Sequence, residues 1–284
     1  MDLDEFWQDL AGDLGRLFAD YRGRLQDLDV RTKADRTLLT EADLAVQELV
    51  KDRIRALDAS AVIVAEEDDR TGIRTELDAD PELVWVIDPI DGTAEFVRPD
   101  RHEFCSVVCL LREREPVAAF VFAPDLGVDG RPLVVTADRT TGAVCVNGTP
   151  LPRVPGRSAV KAASVTRSAN TDPRPFEGKL VDAGYELKTR TTSQTLDMLR
   201  TALDIRPFSD RPQPTFDLFY RPEQKVWDGA AGLCLGETVG MRTADGQGGA
   251  RLPVPVEILR QPEPTFDVTV MGVPEVVEWF ATMI

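Results

Sequence analysis

The stretch WVIDPIDGT, which runs from Trp85 to Thr93, decides how this sequence is interpreted. Its apolar first residues predict a β-strand, and this strand leads directly into two aspartates that are separated by a proline turn. The turn allows the carboxylates of Asp88 and Asp91 to converge on one point. Hard divalent cations prefer carboxylate and carbonyl oxygens, so the two aspartates and the backbone carbonyl of Ile90 form a candidate cation site.

The residues after the second aspartate predict an anion site. Gly92 and Thr93 open a short helix, and N–H groups at the start of a helix point toward a bound phosphate. A sequence of the form DPxD is also a common turn with solvated carboxylates. The stretch alone leaves both interpretations open.

Three further segments place acidic residues at the starts or ends of predicted elements. Thr40 caps a predicted helix, and Asp43 lies three residues later in the position of a capping box. Glu66 follows the next apolar run. Asp228 precedes small residues in the segment WDGAAG, where it fits a helix N-cap as well as a metal ligand, and the two roles are compatible.

These four segments, in this order, resemble the signature motifs of the inositol monophosphatase superfamily. The resemblance extends from Lys33 to Gly240. It implies that five groups hold two or three Mg²⁺ ions, with Mn²⁺ as a substitute and Li⁺ as an inhibitor. The five groups are Glu66, Asp88, the carbonyl of Ile90, Asp91 and Asp228.

The same resemblance implies roles in catalysis and in phosphate binding. Gly92 and Thr93 would receive the phosphate. Asp43 and Thr93 would orient and deprotonate the attacking water close to Glu66, and Lys33 matches a basic residue near the phosphate. Paired metal ions suit phosphoryl transfer because they lower the pKa of water and stabilise the leaving oxygen.

Several features resemble the 3′(2′),5′-bisphosphate nucleotidase branch of the superfamily, beginning with Glu95 after the signature. Arg221 lies seven residues before Asp228, where inositol phosphatases commonly have a glutamate. An arginine there can pair bidentately with a second phosphate. Arg167 and Ser193 lie in segments similar to stretches of this branch and are predicted substrate contacts. The resemblance favours a nucleoside 3′(2′),5′-bisphosphate, or a related nucleotide or sugar phosphate, as substrate.

Two alternative functions stay open. Hydrolysis of inositol 1-phosphate or histidinol phosphate uses the same metal chemistry on another ester. A non-catalytic regulatory protein on the same fold would be expected to show eroded metal ligands or a basic docking face. The sequence contains every matching acid and has a net charge of −16, which argues against this regulatory alternative.

The bulk composition bounds the class of protein and its partners. Of the 284 residues, 43% are hydrophobic, which is enough for a sizeable core. The negative charge disfavours nucleic acid and anionic membranes as partners. The four cysteines lack the spacing of a disulfide framework, and the acidic first residues do not resemble a signal peptide. We therefore expect a cytoplasmic protein, and the resemblance implies a homodimer that acts on a small phosphate ester.

The order of predicted elements divides the chain into an α+β half and an α/β half. The Pro- and Gly-rich segment around 150–158 is the predicted boundary. Residues 1–155 would bind metal and phosphate, and residues 156–284 would bind substrate and add the last metal ligand. The resemblance implies a layered αβαβα sandwich. Within this framework, Arg112–Pro116 predicts the turn of an antiparallel pair, and Ile258–Leu259 predicts a short strand.

Overall fold

The computed structural model describes residues 2–33, 38–68, 72–151, 160–167 and 171–284. The predicted boundary at residues 155 and 156 lies outside these ranges. The elements on either side of it form two sheets, which are described in turn.

The first half packs two long helices, α1 (Leu3–Gly23) and α2 (Glu41–Leu57), on a seven-stranded sheet. A hairpin of β1 (Val30–Thr32) and β2 (Leu38–Thr40) precedes α2. In spatial order the sheet contains β3 (Val62–Ala65), β4 (Leu83–Asp91), β5 (Cys105–Arg112), β6 (Glu115–Ala123), β7 (Leu133–Asp138), β8 (Ala143–Val146) and β9 (Thr149–Pro150). β3 is parallel to β4, and the later neighbours are antiparallel. The pairing of β5 with β6 confirms the predicted antiparallel pair.

Side-chain caps fix where the two long helices begin. The Asp2 carboxylate accepts hydrogen bonds from the backbone N–H groups of Asp4 and Glu5 at the start of α1. α2 begins in the predicted capping box, in which Asp43 Oδ2 accepts from the Thr40 amide at 2.8 Å and Thr40 Oγ1 accepts from the Asp43 amide. A cap of this kind contributes about 1 kcal/mol, and this one also orients the Asp43 side chain.

The second half contains a five-stranded mixed sheet. Its spatial order is β11 (Glu186–Arg190), β10 (Ala162–Arg167), β12 (Leu218–Lys225), β14 (Thr265–Gly272) and β13 (Arg242–Ala244). The first three strands are parallel, and β14 is antiparallel to both of its neighbours. The described helices are α4 (Pro175–Asp182), α5 (Gln194–Ala202), α6 (Val226–Thr238), α7 (Val256–Leu259) and α8 (Pro274–Ala281).

The segment 256–259 is a helical turn, so the prediction of a strand at Ile258 and Leu259 was wrong. The amides of Leu259 and Arg260 donate to the carbonyls of Pro255 and Val256. Two apolar residues are too few to distinguish a strand from a helix, and the fixed φ of proline favours the start of a helical turn. The sequence analysis did not predict three strands of this sheet, β11, β13 and β14.

Three clusters of buried side chains pack the layers of the fold against each other. The first lies between α1, α2 and one face of the seven-stranded sheet. The second surrounds α5 and α6, which fill the space between the two sheets, and the third lies between the five-stranded sheet and the helices α4 and α8. This order of helix, sheet, helix, sheet and helix confirms the predicted αβαβα sandwich.

The central helix α6 connects the two halves. It contacts β4, β5 and β6 of the first sheet and β12 and β14 of the second. Residues near its start therefore lie between the halves, a common location for small-molecule sites. None of the described helices combines the length and apolar composition that a membrane-spanning helix needs.

Candidate metal and phosphate site

The strand β4 carries Asp88 and Asp91 at its end. It pairs with β5 along its whole length, and the register shifts between these two aspartates, where the chain bends. On the other side β4 is parallel to β3, and the Glu66 amide donates to the Ile87 carbonyl at 3.1 Å. Since the ends of two parallel strands meet at one edge, Glu66 lies next to Asp88.

Asp228 comes from the first turn of α6. The helix begins at Val226 with Lys225 as its N-cap residue, so the interpretation of Asp228 as an N-cap was wrong. Val226 and Trp227 are buried in the core and form the first residues of the helix. The helix therefore begins before the small residues of the motif. The Asp228 side chain nevertheless reaches the two aspartates of β4.

Asp88, Asp91 and Asp228 form one carboxylate cluster. One oxygen from each lies within 4.8 Å of the others. Asp88 is 1% exposed, and neither of its carboxylate oxygens has a hydrogen-bond partner among the residues that the structure describes. A buried carboxylate without a donor is costly unless a cation compensates it. The orphaned oxygens and the all-carboxylate donor set therefore fit a hard divalent cation such as Mg²⁺.

Burial and mutual repulsion disfavour ionisation of this cluster. Burial raises the pKa of Asp91 to about 6. Burial and the nearby charges of Glu66 and Asp91 raise the pKa of Asp88 well above its usual range. The pKa of Asp228 is raised in the same way. A bound cation would reverse this effect because it stabilises the ionised carboxylates.

The metal-free protein is expected to lose stability as the pH rises. A carboxyl group whose pKa is higher in the folded than in the unfolded state binds more protons when folded, so the free energy of unfolding falls with increasing pH. For Asp91 this fall begins near the unfolded pKa of about 3.9 and continues to about 6, and for Asp88 and Asp228 it continues further.

Denaturant unfolding between pH 4 and pH 8 measures this loss. The shift of Asp91 alone predicts a loss of about 3 kcal/mol, at ~1.4 kcal/mol per pKa unit. Asp88 and Asp228 should add to this loss, and saturating Mg²⁺ should remove most of it. Equal stability at both pH values, with or without chelator, would contradict the assignment.

The start of α5 holds the Asp91 carboxylate. The Ser193 hydroxyl and the Thr195 amide donate to Asp91 Oδ2 at 2.8 and 2.7 Å, and the Gln194 amide donates to Oδ1 at 3.2 Å. Gln194 also donates to Asp228 through its side chain. In this structure the Ser193 hydroxyl therefore bonds to Asp91, and its contact with the substrate stays a prediction. Gln194 and Thr195 were missed, although the resemblance to the nucleotidase branch singled out Ser193 in the same segment.

The DGT turn, defined as residues 91–96, follows the cluster. Gly92 has a φ of +98°, and an added Cβ would lie 2.8 Å from the Glu103 carbonyl oxygen, so both conformation and space require glycine here. The amides of Glu95 and Phe96 donate to the Gly92 carbonyl and form the predicted short helix α3 (Thr93–Phe96).

Thr93 and Asp43 meet beside this turn. The Thr93 hydroxyl lies 3.1 Å from both Asp43 Oδ1 and the Ile90 carbonyl. Burial raises the pKa of Asp43 to about 6, although hydrogen bonds from Thr40 oppose the shift. The two residues that the sequence resemblance assigns to water activation are therefore in contact.

Lys33 and Glu66 form an ion pair at the rim. Lys33 Nζ lies 2.9 Å from Glu66 Oε1 and 2.5 Å from Glu67 Oε1. Burial opposes the charge on Lys33, but these two carboxylates raise its pKa overall. Glu66 lies outside the cluster of three aspartates, so its predicted role as a metal ligand stays a prediction.

Arg167 and Arg221 differ in how they are paired. Arg167 lies 3.3 Å from the carboxylate of Glu177. Within the described part of the chain, Arg221 donates only to the hydroxyls of Thr166 and Thr191, at 3.3 and 3.1 Å, and its buried Nε has no partner. Burial lowers the pKa of Arg221, whereas the charge of Asp228 raises it, which places the guanidinium near the cluster. These distances do not test whether Arg167 or Arg221 contacts the substrate, so both contacts stay predictions.

Comparison with known protein families matches residues 2–268 to the inositol monophosphatase family. The 3′(2′),5′-bisphosphate nucleotidase CysQ of Escherichia coli strain K12 is 30% identical over 126 residues, which are 44% of this chain and 49% of that protein. The chain thus matches about half the length of CysQ. The inositol-1-monophosphatase of Rhizobium meliloti strain 1021 is 27% identical over 243 residues, 84% of this chain and 83% of that protein.

Solved structures agree with the fold. A staphylococcal inositol monophosphatase I in complex with products superposes with a TM-score of 0.75 at 18% identity, covering 99% of this chain and 94% of that one. A dual inositol monophosphatase and NADP phosphatase in complex with Mg²⁺ and phosphate gives a TM-score of 0.73 at 18% identity, covering 99% and 96%. At this identity the likeness shows the fold alone. Because the family model matches almost the entire sequence, this chain belongs to the inositol monophosphatase family.

Proposed function

We propose that this protein is a Mg²⁺-dependent phosphomonoester hydrolase that acts on a small anionic metabolite. The observation that carries the proposal is the buried cluster of Asp88, Asp91 and Asp228 beside the DGT turn, in which both oxygens of Asp88 lack a hydrogen-bond partner in the described ranges. The names of the relatives, a bisphosphate nucleotidase and an inositol monophosphatase, support the same class of reaction.

The three aspartates would hold Mg²⁺, and Glu66 with the Ile90 carbonyl would complete the two or three sites that the family resemblance implies. Mn²⁺ is expected to substitute, and Li⁺ to inhibit. When bound, Mg²⁺ would supply charge neutralisation for the phosphate and a lower pKa for the attacking water. The three donors on Asp91 fix its carboxylate in one orientation, which favours a preformed site.

The protein groups around the cluster position the reactants. The amides of Gly92 and Thr93, at the start of α3, would receive phosphate oxygens. Thr93 and Asp43 would orient the attacking water, and Asp43 accepts its proton once it is ionised, above its pKa of about 6. Lys33 adds positive charge near the phosphate.

Arg221 favours a substrate with a second anionic group. It has no salt bridge to a described carboxylate, and the described groups that bond to it are two neutral hydroxyls. A guanidinium in this state pairs strongly with a phosphate, often through two hydrogen bonds. We therefore propose a nucleoside 3′(2′),5′-bisphosphate, or a related nucleotide or sugar phosphate, as the substrate, with Arg167 and Ser193 as further contacts.

Replacing Arg221 with methionine is expected to lower kcat/KM for 3′-phosphoadenosine 5′-phosphate about 10- to 100-fold, the loss that one charge-assisted contact gives. Methionine keeps the aliphatic packing but removes the cation. The matched measurement is phosphate release from inositol 1-phosphate, which has no second anionic group and should change little. Equal losses on both esters would show that Arg221 supports the fold of the site and does not read the second charge.

The second candidate is hydrolysis of inositol 1-phosphate, with histidinol phosphate as a further ester. It is favoured by the match to the Rhizobium meliloti protein, which spans 84% of this chain. A substrate panel decides between the candidates, because a clear preference for inositol 1-phosphate would overturn the nucleotide assignment. The cytoplasmic location, the homodimer and the two functional halves stay predictions.

A further inference from the structure

One continuous segment of the second half contacts both ends of the DGT turn. At one end, donors from residues 193–195 hold the Asp91 carboxylate. At the other end, the guanidinium of Arg190 forms an ion pair with Glu95. The segment 190–195 thus spans the turn that the proposed function assigns to phosphate binding.

Glu95 depends on Arg190 for its only described ion pair. Glu95 is 3% exposed, and no described residue forms a hydrogen bond with its second carboxylate oxygen. The Arg190 side chain is 51% exposed at the end of β11. Loss of one partner of such a pair leaves a buried, uncompensated charge on the other. Without Arg190, Glu95 would have to move toward water and would take part of α3 with it.

A third contact fixes the opposite side of the turn. The carbonyl of Glu103 packs against Gly92, and its carboxylate receives two hydrogen bonds from Arg200 of α5, at 2.5 and 2.7 Å. Arg200 is fully buried. The Glu103 side is therefore anchored in the core.

On the Glu95 side, the buried Phe96 packs against Phe18 and Phe104 and accepts from Arg22 through its carbonyl at 2.9 Å. The Glu95 carboxylate itself is held by one half-exposed arginine.

We propose that Arg190 is a positioning residue that fixes the DGT turn through Glu95. The pair holds α3 against the second half, so that the amides of Gly92 and Thr93 keep the orientation needed to bind phosphate. Arg190 acts through Glu95 and does not itself contact the substrate. This inference rests on the proposed function of the turn, and the experiment below separates the two.

Hydrogen exchange tests the proposal without any substrate. The amides of Glu95, Phe96 and Val97 are bonded to carbonyls within the turn, so their exchange reports its opening. Arg190→Gln should accelerate exchange at these three amides about tenfold or more, and Glu95→Gln should act in the same direction. The double variant should exchange no faster than Arg190→Gln, because both changes remove one interaction.

The matched control is Arg242→Gln, which removes a surface arginine paired with Glu278 at 3.1 Å in the same half. It should leave exchange in the turn unchanged. Unchanged exchange in Arg190→Gln, or effects of the two single variants that add in the double variant, would overturn the proposal.

Kinetics then distinguish positioning from substrate contact. Arg190→Gln should reduce kcat/KM by one common factor, about tenfold, on inositol 1-phosphate and on 3′-phosphoadenosine 5′-phosphate, and Arg190→Lys should recover part of the loss. A loss confined to the nucleotide would make Arg190 a substrate contact and would overturn the proposal. If the wild-type protein hydrolyses neither ester, the proposed function fails for these substrates, whereas the exchange result still decides the role of Arg190.

Discussion

Replacing Asp88 with asparagine is expected to lower Mg²⁺-dependent phosphate release at least about 100-fold, the scale of loss when one group that stabilises developing charge is removed. The same change should stabilise the metal-free protein, because a neutral amide replaces a carboxylate whose pKa is raised well above its usual range by burial and by the nearby charges of Glu66 and Asp91. Asp88 suits this test because the change would disturb no hydrogen bond between its oxygens and a described residue.

The opposite signs of the two effects make the test specific. Asp91→Asn is less clean, since an amide nitrogen would face one of the donors from residues 193–195. The control is Asp52→Asn, at a side chain that is 78% exposed, which should change neither quantity. If Asp88→Asn destabilises the metal-free protein and leaves activity intact, Asp88 is a structural residue and the cluster is not the metal site.

Replacing Gly92 with alanine is expected to reduce kcat/KM at least about tenfold and to destabilise the protein by about 2–4 kcal/mol. The left-handed backbone conformation costs an L-residue about 1–2 kcal/mol. The added Cβ would also lie 2.8 Å from the Glu103 carbonyl oxygen and 3.2 Å from Phe104 Cβ, so the turn must shift. A shift of a few tenths of an ångström misaligns the amides that would bind phosphate.

Gly184→Ala isolates the conformational part of this effect. Gly184 has a φ of +87°, close to that of Gly92, and an added Cβ would meet no atom within 4 Å. Both variants should therefore share the cost of the backbone conformation, measured by denaturant unfolding, and only Gly92→Ala should lose activity. If Gly92→Ala were as stable and as active as the wild-type protein, the turn would not need the backbone geometry that glycine gives it.

Local sequence patterns predicted the elements that carry the candidate ligands. The apolar run before Asp88 predicted β4 because alternating and continuous apolar residues reflect burial directly. The capping box of Thr40 and Asp43 predicted the start of α2 because both partners lie within one helical turn of the sequence. The αβαβα layering came from the family resemblance and was confirmed by the packing of the three clusters.

The contacts that shape the site could not be predicted in this way. Asp91 and its donors lie about a hundred residues apart in the sequence, since Ser193 follows Asp91 by 102 residues. Arg190 and Glu95 are separated by 95 residues. Such pairings depend on how α5 and β11 dock on the first sheet, which no local periodicity encodes. The strand prediction at Ile258 failed for the complementary reason, because two apolar residues contain too little pattern.

The most direct test of the account is phosphate release by the wild-type protein from 3′-phosphoadenosine 5′-phosphate, inositol 1-phosphate, histidinol phosphate and fructose 1,6-bisphosphate, first with Mg²⁺ and then with excess chelator. We predict release that is fastest with the nucleotide, stops on chelation and returns when Mg²⁺ is restored. Release that persists in the presence of chelator, or no release from any of the four esters, would contradict a Mg²⁺-dependent phosphatase built on the three aspartates.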